Sequence, residues 1–174
     1  MIISLDELKS YITTELKDSV LEARLQAIES TIRQYTNNNF QKRNIRFRCP
    51  VVSQKLYLTS KLFQEGDTVQ ITDSMFNDGV YHITETDFEY TTLNEQLIDE
   101  SAVTITKVEY PKDVKMGAVN MLKWELENRD KVGIQSETIS RHSVTYYNMD
   151  GDNSVMGYPK SIMGFLRAYK KPRF

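Results

Sequence analysis

The first forty residues carry apolar side chains at helical spacing. Ser4 and Glu7 form a capping box, in which the serine hydroxyl accepts a hydrogen bond from a first-turn amide. A second such box, Ser19 and Glu22, precedes a longer apolar stripe. The two stripes consist of Leu5, Leu8 and Ile12, and of Leu21, Leu25, Ile28, Ile32 and Tyr35. The asparagines that follow tolerate the left-handed conformation that ends helices. The pattern predicts an antiparallel helical hairpin.

The pattern changes to alternation between about Ile45 and Glu109. The alternating pairs and triplets are Ile45, Phe47 and Cys49; Leu56 and Leu58; Val69 and Ile71; Tyr81 and Ile83; and Val103 and Ile105. Turn sequences such as Asn77-Asp78-Gly79 separate them. Five or six short antiparallel strands are therefore predicted, which form a small barrel or sandwich.

Helical spacing returns after Pro111, where Asp113 can cap a third helix that ends near Gly133. The segment from Thr138 to Tyr147 alternates like a strand, and a short helix is predicted to begin at Pro159. These elements predict an α+β protein. Its helical core comprises residues 1–42 and 110–174, namely the hairpin, a third long helix and a short C-terminal helix. An antiparallel β barrel or sandwich, residues 43–109, is inserted into it.

Charge is distributed unevenly although the net charge is only -2. Between Leu62 and Thr106 there are ten acidic residues and no Lys or Arg, so the rest of the chain holds 14 of the 24 acidic residues and all 22 basic ones. Two basic clusters stand out: Lys42, Arg43, Arg46 and Arg48, and Arg167, Lys170, Lys171 and Arg173. They are either solvated surface or contacts for an acidic partner or phosphate.

The sequence carries none of the usual catalytic or cofactor motifs: no phosphate-binding loop, no dinucleotide fingerprint, no zinc-protease or nucleophile-elbow pattern and no paired CxxC. Cys49 fits a buried core position and His82 a structural one. The turn around Asp152 lacks the closing Glu of a calcium loop. We therefore predict no catalytic residue, no cofactor and no metal. A hydrolase that uses the dispersed acids Glu95, Asp99 and Glu100 remains a rival interpretation.

Several short motifs follow one another in the C-terminal third. They are Gly133-Ile134-Gln135-Ser136-Glu137-Thr138-Ile139, Ser143-Val144-Thr145-Tyr146, Gly157-Tyr158-Pro159-Lys160-Ser161-Ile162 and the basic ending Leu166–Arg173. Together with the opening hairpin and its Tyr35-Thr36-Asn37-Asn38-Asn39-Phe40 ending, this order resembles the head–tail connector, or head-completion adaptor, family of tailed phages. The resemblance covers about residues 1–40 and 110–172. The β region departs from compact members and is interpreted as an insertion.

The resemblance implies a non-enzymatic virion protein, synthesised in the host cytoplasm. It implies a homo-oligomeric ring, typically a dodecamer, that sits on the portal protein and supports a further connector, stopper or tail protein. Genomic DNA would pass through the ring without sequence-specific binding, and no membrane contact is expected. The residues carried over as portal or ring contacts are Ser143, Val144, Thr145, Tyr146, Tyr158, Pro159, Ile162, Leu166, Tyr169, Lys170, Lys171 and Arg173.

The acidic β region has three possible roles in such a ring. It can contact a neighbour's basic surface, repel DNA inside the channel, or face solvent at the outer edge, which is the place we favour because insertions usually lie on exposed surfaces. The rival function is a nucleic-acid-binding accessory protein of phage DNA packaging, which would use the basic clusters as phosphate contacts. The sequence pI of 5.8 and the acidic middle argue against it.

Overall fold

The computed structural model describes residues 1–128, 136–139, 142–145 and 152–172, with residues 136–139 and 142–145 described by their backbone. The chain divides into two compact units. The barrel unit consists of Asn39–Tyr110 together with Met1, and the helical unit consists of Ile2–Asn38 and Pro111–Phe174. The barrel unit is thus a continuous stretch of chain between the two segments of the other unit.

The barrel unit is a closed six-stranded antiparallel barrel. Its strands are β1 (Gln41–Val52), β2 (Lys55–Leu56), β3 (Thr68–Thr72), β4 (Gly79–Thr86), β5 (Thr91–Leu93) and β6 (Glu100–Val108), in the order β1-β2-β5-β4-β3-β6. β1 closes the barrel by pairing with β6, where Phe47 lies opposite Ile105. The predicted α+β class is confirmed, and the β region is a barrel rather than a sandwich.

Alternation along the strands fills the barrel interior. Ile45, Cys49 and Val51 of β1 are buried, whereas Arg46 and Arg48 between them are exposed. Val69 and Ile71 of β3, and Val103 and Ile105 of β6, are fully buried in the same cluster. Burial of about ten such side chains, at roughly 1.5–3 kcal/mol each, is the main force that holds the barrel together.

The helical unit contains α1 (Leu5–Lys9), α2 (Asp18–Thr36), α3 (Lys112–Asn128), α4 (Lys160–Met163) and a 3₁₀ helix (Gly164–Tyr169). It also contains two strand pairs, β7 (Ser136–Ile139) with β8 (His142–Thr145) and β9 (Ser154–Val155) with β10 (Tyr158–Pro159). α2 packs against α3 and the 3₁₀ helix. The apolar stripes of the two long helices are buried: Leu21, Leu25, Ile28 and Ile32 of α2, and Val114, Ala118, Val119, Met121 and Leu122 of α3.

The helix ends correct two sequence predictions. The Ser4 hydroxyl accepts from the Glu7 amide at 3.3 Å, as expected, but α1 ends at Lys9 rather than near Ile12. The second capping box is wrong, because Lys17 caps α2 without a side-chain hydrogen bond and Ser19 already lies inside the helix. Asp18, the first residue of α2, binds Lys9 instead, at 2.8 Å. Asn37 ends α2 in the left-handed conformation, as predicted.

The structure corrects three further sequence predictions, all of them for the segment that begins at Pro111. Asp113 lies within the first turn of α3, which begins at Lys112, so it is not the residue that precedes the helix. The strand predicted from Thr138 to Tyr147 is instead the β7–β8 hairpin, since alternation does not distinguish one strand from two paired ones. Pro159 belongs to β10 and precedes α4 rather than starting it. The predicted stop at Gly133 lies outside the described residues.

In the part of the chain that the structure describes, no helix combines the length and apolar character needed to cross a membrane.

Candidate functional site

The segment Tyr158–Pro172 carries most of the residues that the sequence singled out. Tyr158 is only 3% exposed, and its ring packs on Trp124 of α3 with 5.6 Å between centroids. Its hydroxyl donates a short hydrogen bond to the buried carboxylate of Glu125. The Arg24 guanidinium, on α2, lies 3.5 Å from the other oxygen of that carboxylate. One acidic side chain therefore joins α2, α3 and the start of the C-terminal segment.

The far end of the segment is attached to the C-terminal end of α2. The Lys171 amide donates to the Thr36 carbonyl at 2.7 Å, and the Asn37 side chain donates to the Pro172 carbonyl at 2.7 Å. The Asn38 side chain donates to the Tyr169 carbonyl at 3.2 Å. The first bond satisfies a carbonyl group that the end of α2 leaves open, and all three fix the backbone around the basic residues.

Two side chains add to this attachment. The Tyr169 hydroxyl donates to both carboxylate oxygens of Asp113 at 2.8 Å, and this bond raises the pKa of the tyrosine. The Lys170 ammonium lies 3.8 Å from the centre of the Tyr35 ring, a cation–π distance. The charged groups of Lys170 and Lys171 remain exposed, and Arg167 lies exposed beside them.

The predicted contact residues differ in how far the structure buries them. Tyr158, Pro159 and Leu166 are buried within the chain itself, so they hold the segment in place and do not offer a surface to a partner. Ile162 and Tyr169 are half-buried. Lys170 and Lys171 are exposed. Ser143, Val144 and Thr145 lie on β8, of which the backbone is described, whereas Tyr146 and Arg173 lie outside the described residues.

The other basic cluster lies along β1. Arg43, Arg46 and Arg48 are exposed, and Lys42 is paired with Glu109. Arg46 donates to the Thr106 hydroxyl at 3.0 Å and to the Gln41 side chain at 3.3 Å. We call Arg43, Arg46 and Arg48 the β1 arginine strip.

Several acidic side chains of the barrel hold its loops by hydrogen bonds. The loop end of the barrel is defined here as the Ser53–Gln54 turn, the loop at 73–78 and the loop at 94–99. Asp99 accepts from the amides of Ser53 and Gln54 at 3.0 and 2.8 Å, which stabilises a turn whose two residues have positive φ. Asn77 exchanges two hydrogen bonds with Ile98, at 2.8 and 2.9 Å. No sequence pattern predicts this network, because its members lie in different loops.

Glu100, the first residue of β6, is the centre of the network. Its carboxylate accepts from the Met75 amide at 2.7 Å, the Ser74 hydroxyl at 2.5 Å and the Asn77 side chain at 2.8 Å. The bonds from the Met75 amide and from Ser74 are the main causes that lower the pKa of Glu100 from its ordinary value of 4.5.

A lowered pKa in the folded state stabilises the fold above the unfolded-state pKa, and the stabilisation is lost as the pH falls through the folded value. We therefore expect thermal stability to decline as the pH falls below about 4.5, and the decline to be shallower in Glu100→Gln. Circular-dichroism melting across that range measures it. Glu65→Gln removes a carboxylate that has no hydrogen bond or ion pair in the described structure, and it serves as the control. Equal slopes in all three proteins would contradict the role of Glu100.

The other potentially reactive residues, Cys49 and His82, have contacts that suit a structural role. Cys49 is buried, and desolvation raises the pKa of its thiol to about 11, so the reactive thiolate is disfavoured. The His82 amide donates to the Asn94 side chain at 2.8 Å, and its ring lies 3.2 Å from the Thr68 hydroxyl. A depression of about 480 Å³ beside Ser53, Ile98 and Asp99 is the open side of the loop end. Among the described residues, no three His, Cys, Asp or Glu side chains group as metal ligands.

No family model matches the chain, and no curated protein matches it.

Proposed function

We propose that this chain is a subunit of a phage head–tail connector, which assembles as a ring on the portal and extends the DNA channel. The observation that carries the proposal is the C-terminal segment, whose backbone and aromatic residues are bound to α2 and α3 while Lys170 and Lys171 stay exposed. A basic group fixed in this way suits contact with an acidic surface of another protein.

The attachment matters because ordering a side chain or a loop on binding costs about 0.5–1.5 kcal/mol for each immobilised side chain. Here Lys170 is already placed over Tyr35, and the Lys171 backbone is already bound to Thr36. Much of the entropic cost of ordering this segment is therefore incurred when the chain folds, before the segment contacts a partner. Tyr158 and Leu166 are buried, and they contribute by holding the C-terminal segment in position.

In this proposal the helical core of residues 1–42 and 110–174 forms the body of the ring, and the barrel is its appendage. The division of the chain supports that assignment, since both of its outer segments belong to one unit and the barrel to the other. The resemblance in residues 1–40 and 110–172 concerns the same outer segments. A dodecameric ring, with a stopper or tail protein on its far side and the virion as its location, completes the proposal.

The test is capture of the portal protein from cells that produce the phage. Tagged chain is purified and the proteins that accompany it are identified by mass spectrometry. We expect recovery of the portal, and we expect Lys170→Glu/Lys171→Glu to lower it by about tenfold or more, which is ~1.4 kcal/mol of binding free energy. Lys55→Glu/Lys61→Glu makes the same charge change at two exposed barrel residues, and it should leave recovery unchanged.

Two results would contradict the proposal. If soluble host enzymes or nucleic acid accompany the chain and no virion protein does, the connector function fails. Salt-sensitive DNA binding by the purified chain would then favour the nucleic-acid-binding alternative, with the β1 arginine strip as its phosphate contact. If the two double variants lose the portal equally, the C-terminal segment is not the contact.

A further inference from the structure

The loop end of the barrel exposes three large apolar side chains. Met75 is 82% exposed, Phe76 61% and Ile98 54%. The loops that carry them are hydrogen-bonded to one another through Asn77 and Glu100, so the side chains project from a braced support. Exposure of several apolar groups on one ordered end marks a surface that another molecule covers.

The charges around these side chains are all negative within their own segment. Asp73 and Asp78 flank Met75 and Phe76, Asp99 follows Ile98, and the whole stretch from Leu62 to Thr106 contains no Lys or Arg. Asp73 has no hydrogen bond or ion pair in the described structure. Such a surface repels phosphate and anionic lipid, and it attracts a protein surface rich in basic groups.

The same barrel also carries a basic surface, the β1 arginine strip. Within the described residues, the side chains of Arg43 and Arg48 make neither a hydrogen bond nor an ion pair. Arginine is the residue that both stacks on aromatic rings and pairs with carboxylates. The loop end offers one ring, Phe76, with carboxylates on both sides of it.

We propose that the loop end of one copy docks on the β1 arginine strip of a second copy. Phe76 lies against the guanidinium groups of the strip, and Asp73 and Asp78 pair with them. The two surfaces differ, so the contact is heterologous and each copy keeps one free donor and one free acceptor surface. Repetition of such a contact closes a ring or extends a filament. The contact deepens the proposed function, on which it rests, by naming where neighbouring barrels meet.

Disulfide trapping tests this contact directly. The variant Phe76→Cys/Arg48→Cys places one thiol on each surface. An intramolecular disulfide would leave the chain monomeric, so only a bond between two copies gives larger products on a non-reducing gel. Copper phenanthroline serves as the oxidant. Cys49 stays out of the reaction, since it is buried and its thiol pKa is raised to about 11.

The matched control is Phe88→Cys/Arg48→Cys. Phe88 is 91% exposed and lies between Asp87 and Glu89, so it is more accessible than Phe76 and has acidic neighbours as well, but it belongs to a different turn. We expect a ladder of dimers, trimers and larger products from the Phe76 variant, about tenfold above the control. Adding Asp73→Arg/Asp78→Arg should remove the excess, and higher salt should reduce it.

Three results would overturn the contact: no ladder, equal ladders from the Phe76 and Phe88 variants, or dimers from Phe76→Cys alone as abundant as the ladder, which would mean a symmetric contact. The outcome is separate from that of portal capture. A ladder without portal binding would support the contact between copies and refute the connector function. Portal binding without a ladder would support the connector function and refute the contact.

Discussion

Gly117→Ala should lower the free energy of unfolding by about 2 kcal/mol, although alanine is the better helix former by ~1 kcal/mol. Gly117 lies in the middle of α3, where a Cβ would stand 2.0 Å from the tip of the Phe165 ring and 2.4 Å from both neighbouring ring atoms. The ring points at the glycine, so no small rotation relieves the clash. Phe165 would have to leave its place, and the 3₁₀ helix would lose its packing on α3.

Urea unfolding measures the effect. Gly164→Ala is the matched control, because a Cβ there meets nothing within 4 Å and the backbone is right-handed helical, so stability should stay equal or rise. A double-mutant cycle with Phe165→Ala sharpens the test, since Gly117→Ala should cost little once the ring is gone. A cost that is unchanged without the ring would show that the clash is not its cause.

Tyr158→Phe should destabilise the protein by about 2 kcal/mol, the range for a hydrogen bond to a charged group. The substitution keeps the packing on Trp124 and removes the hydroxyl that donates to Glu125. A buried carboxylate would then lose this donor, while the Arg24 guanidinium stays 3.5 Å from its other oxygen. The loss of stability arises because the Glu125 carboxylate stays buried after it has lost the tyrosine hydroxyl as a donor.

For that reason, Tyr158→Phe/Glu125→Leu should be more stable than the sum of its single variants, because replacing both partners removes the unsatisfied group. Tyr169→Phe is the control: it removes a hydroxyl bound to Asp113 at an exposed site, and we expect a loss of about 0.5 kcal/mol or less. Chemical unfolding of the four variants decides the point. Strict additivity at Tyr158 and Glu125 would contradict the account.

The sequence predicted the elements whose pattern is local. α2 was found because Leu21 to Ile32 repeat at one helical spacing and all face the interior. β1 and β6 were found because they are long enough to alternate. β5 was missed, since Thr91-Thr92-Leu93 is too short to show alternation. The sequence also does not distinguish a closed barrel from a sandwich, because closure depends on pairing between β1 and β6, which lie about sixty residues apart.

Only the local part of the candidate site can be predicted from the sequence. Lys170 and Lys171 are neighbours in sequence, so their charge was visible at once. Their attachment was not, because Tyr158 meets Glu125 33 positions away and Arg24 meets it 101 positions away. Tyr158, Pro159 and Leu166, which the motif presents as contact residues, are buried in the described chain, whereas Lys170 and Lys171 are exposed. A motif shows which residues belong together, whereas exposure decides which of them can touch a partner.

The most direct test of the connector proposal is electron microscopy of phage-producing cells in which this chain is not made. The proposal predicts DNA-filled heads and free tails that fail to join, and it predicts that supplying the chain restores joined particles. Intact tailed virions in the absence of the chain would contradict it.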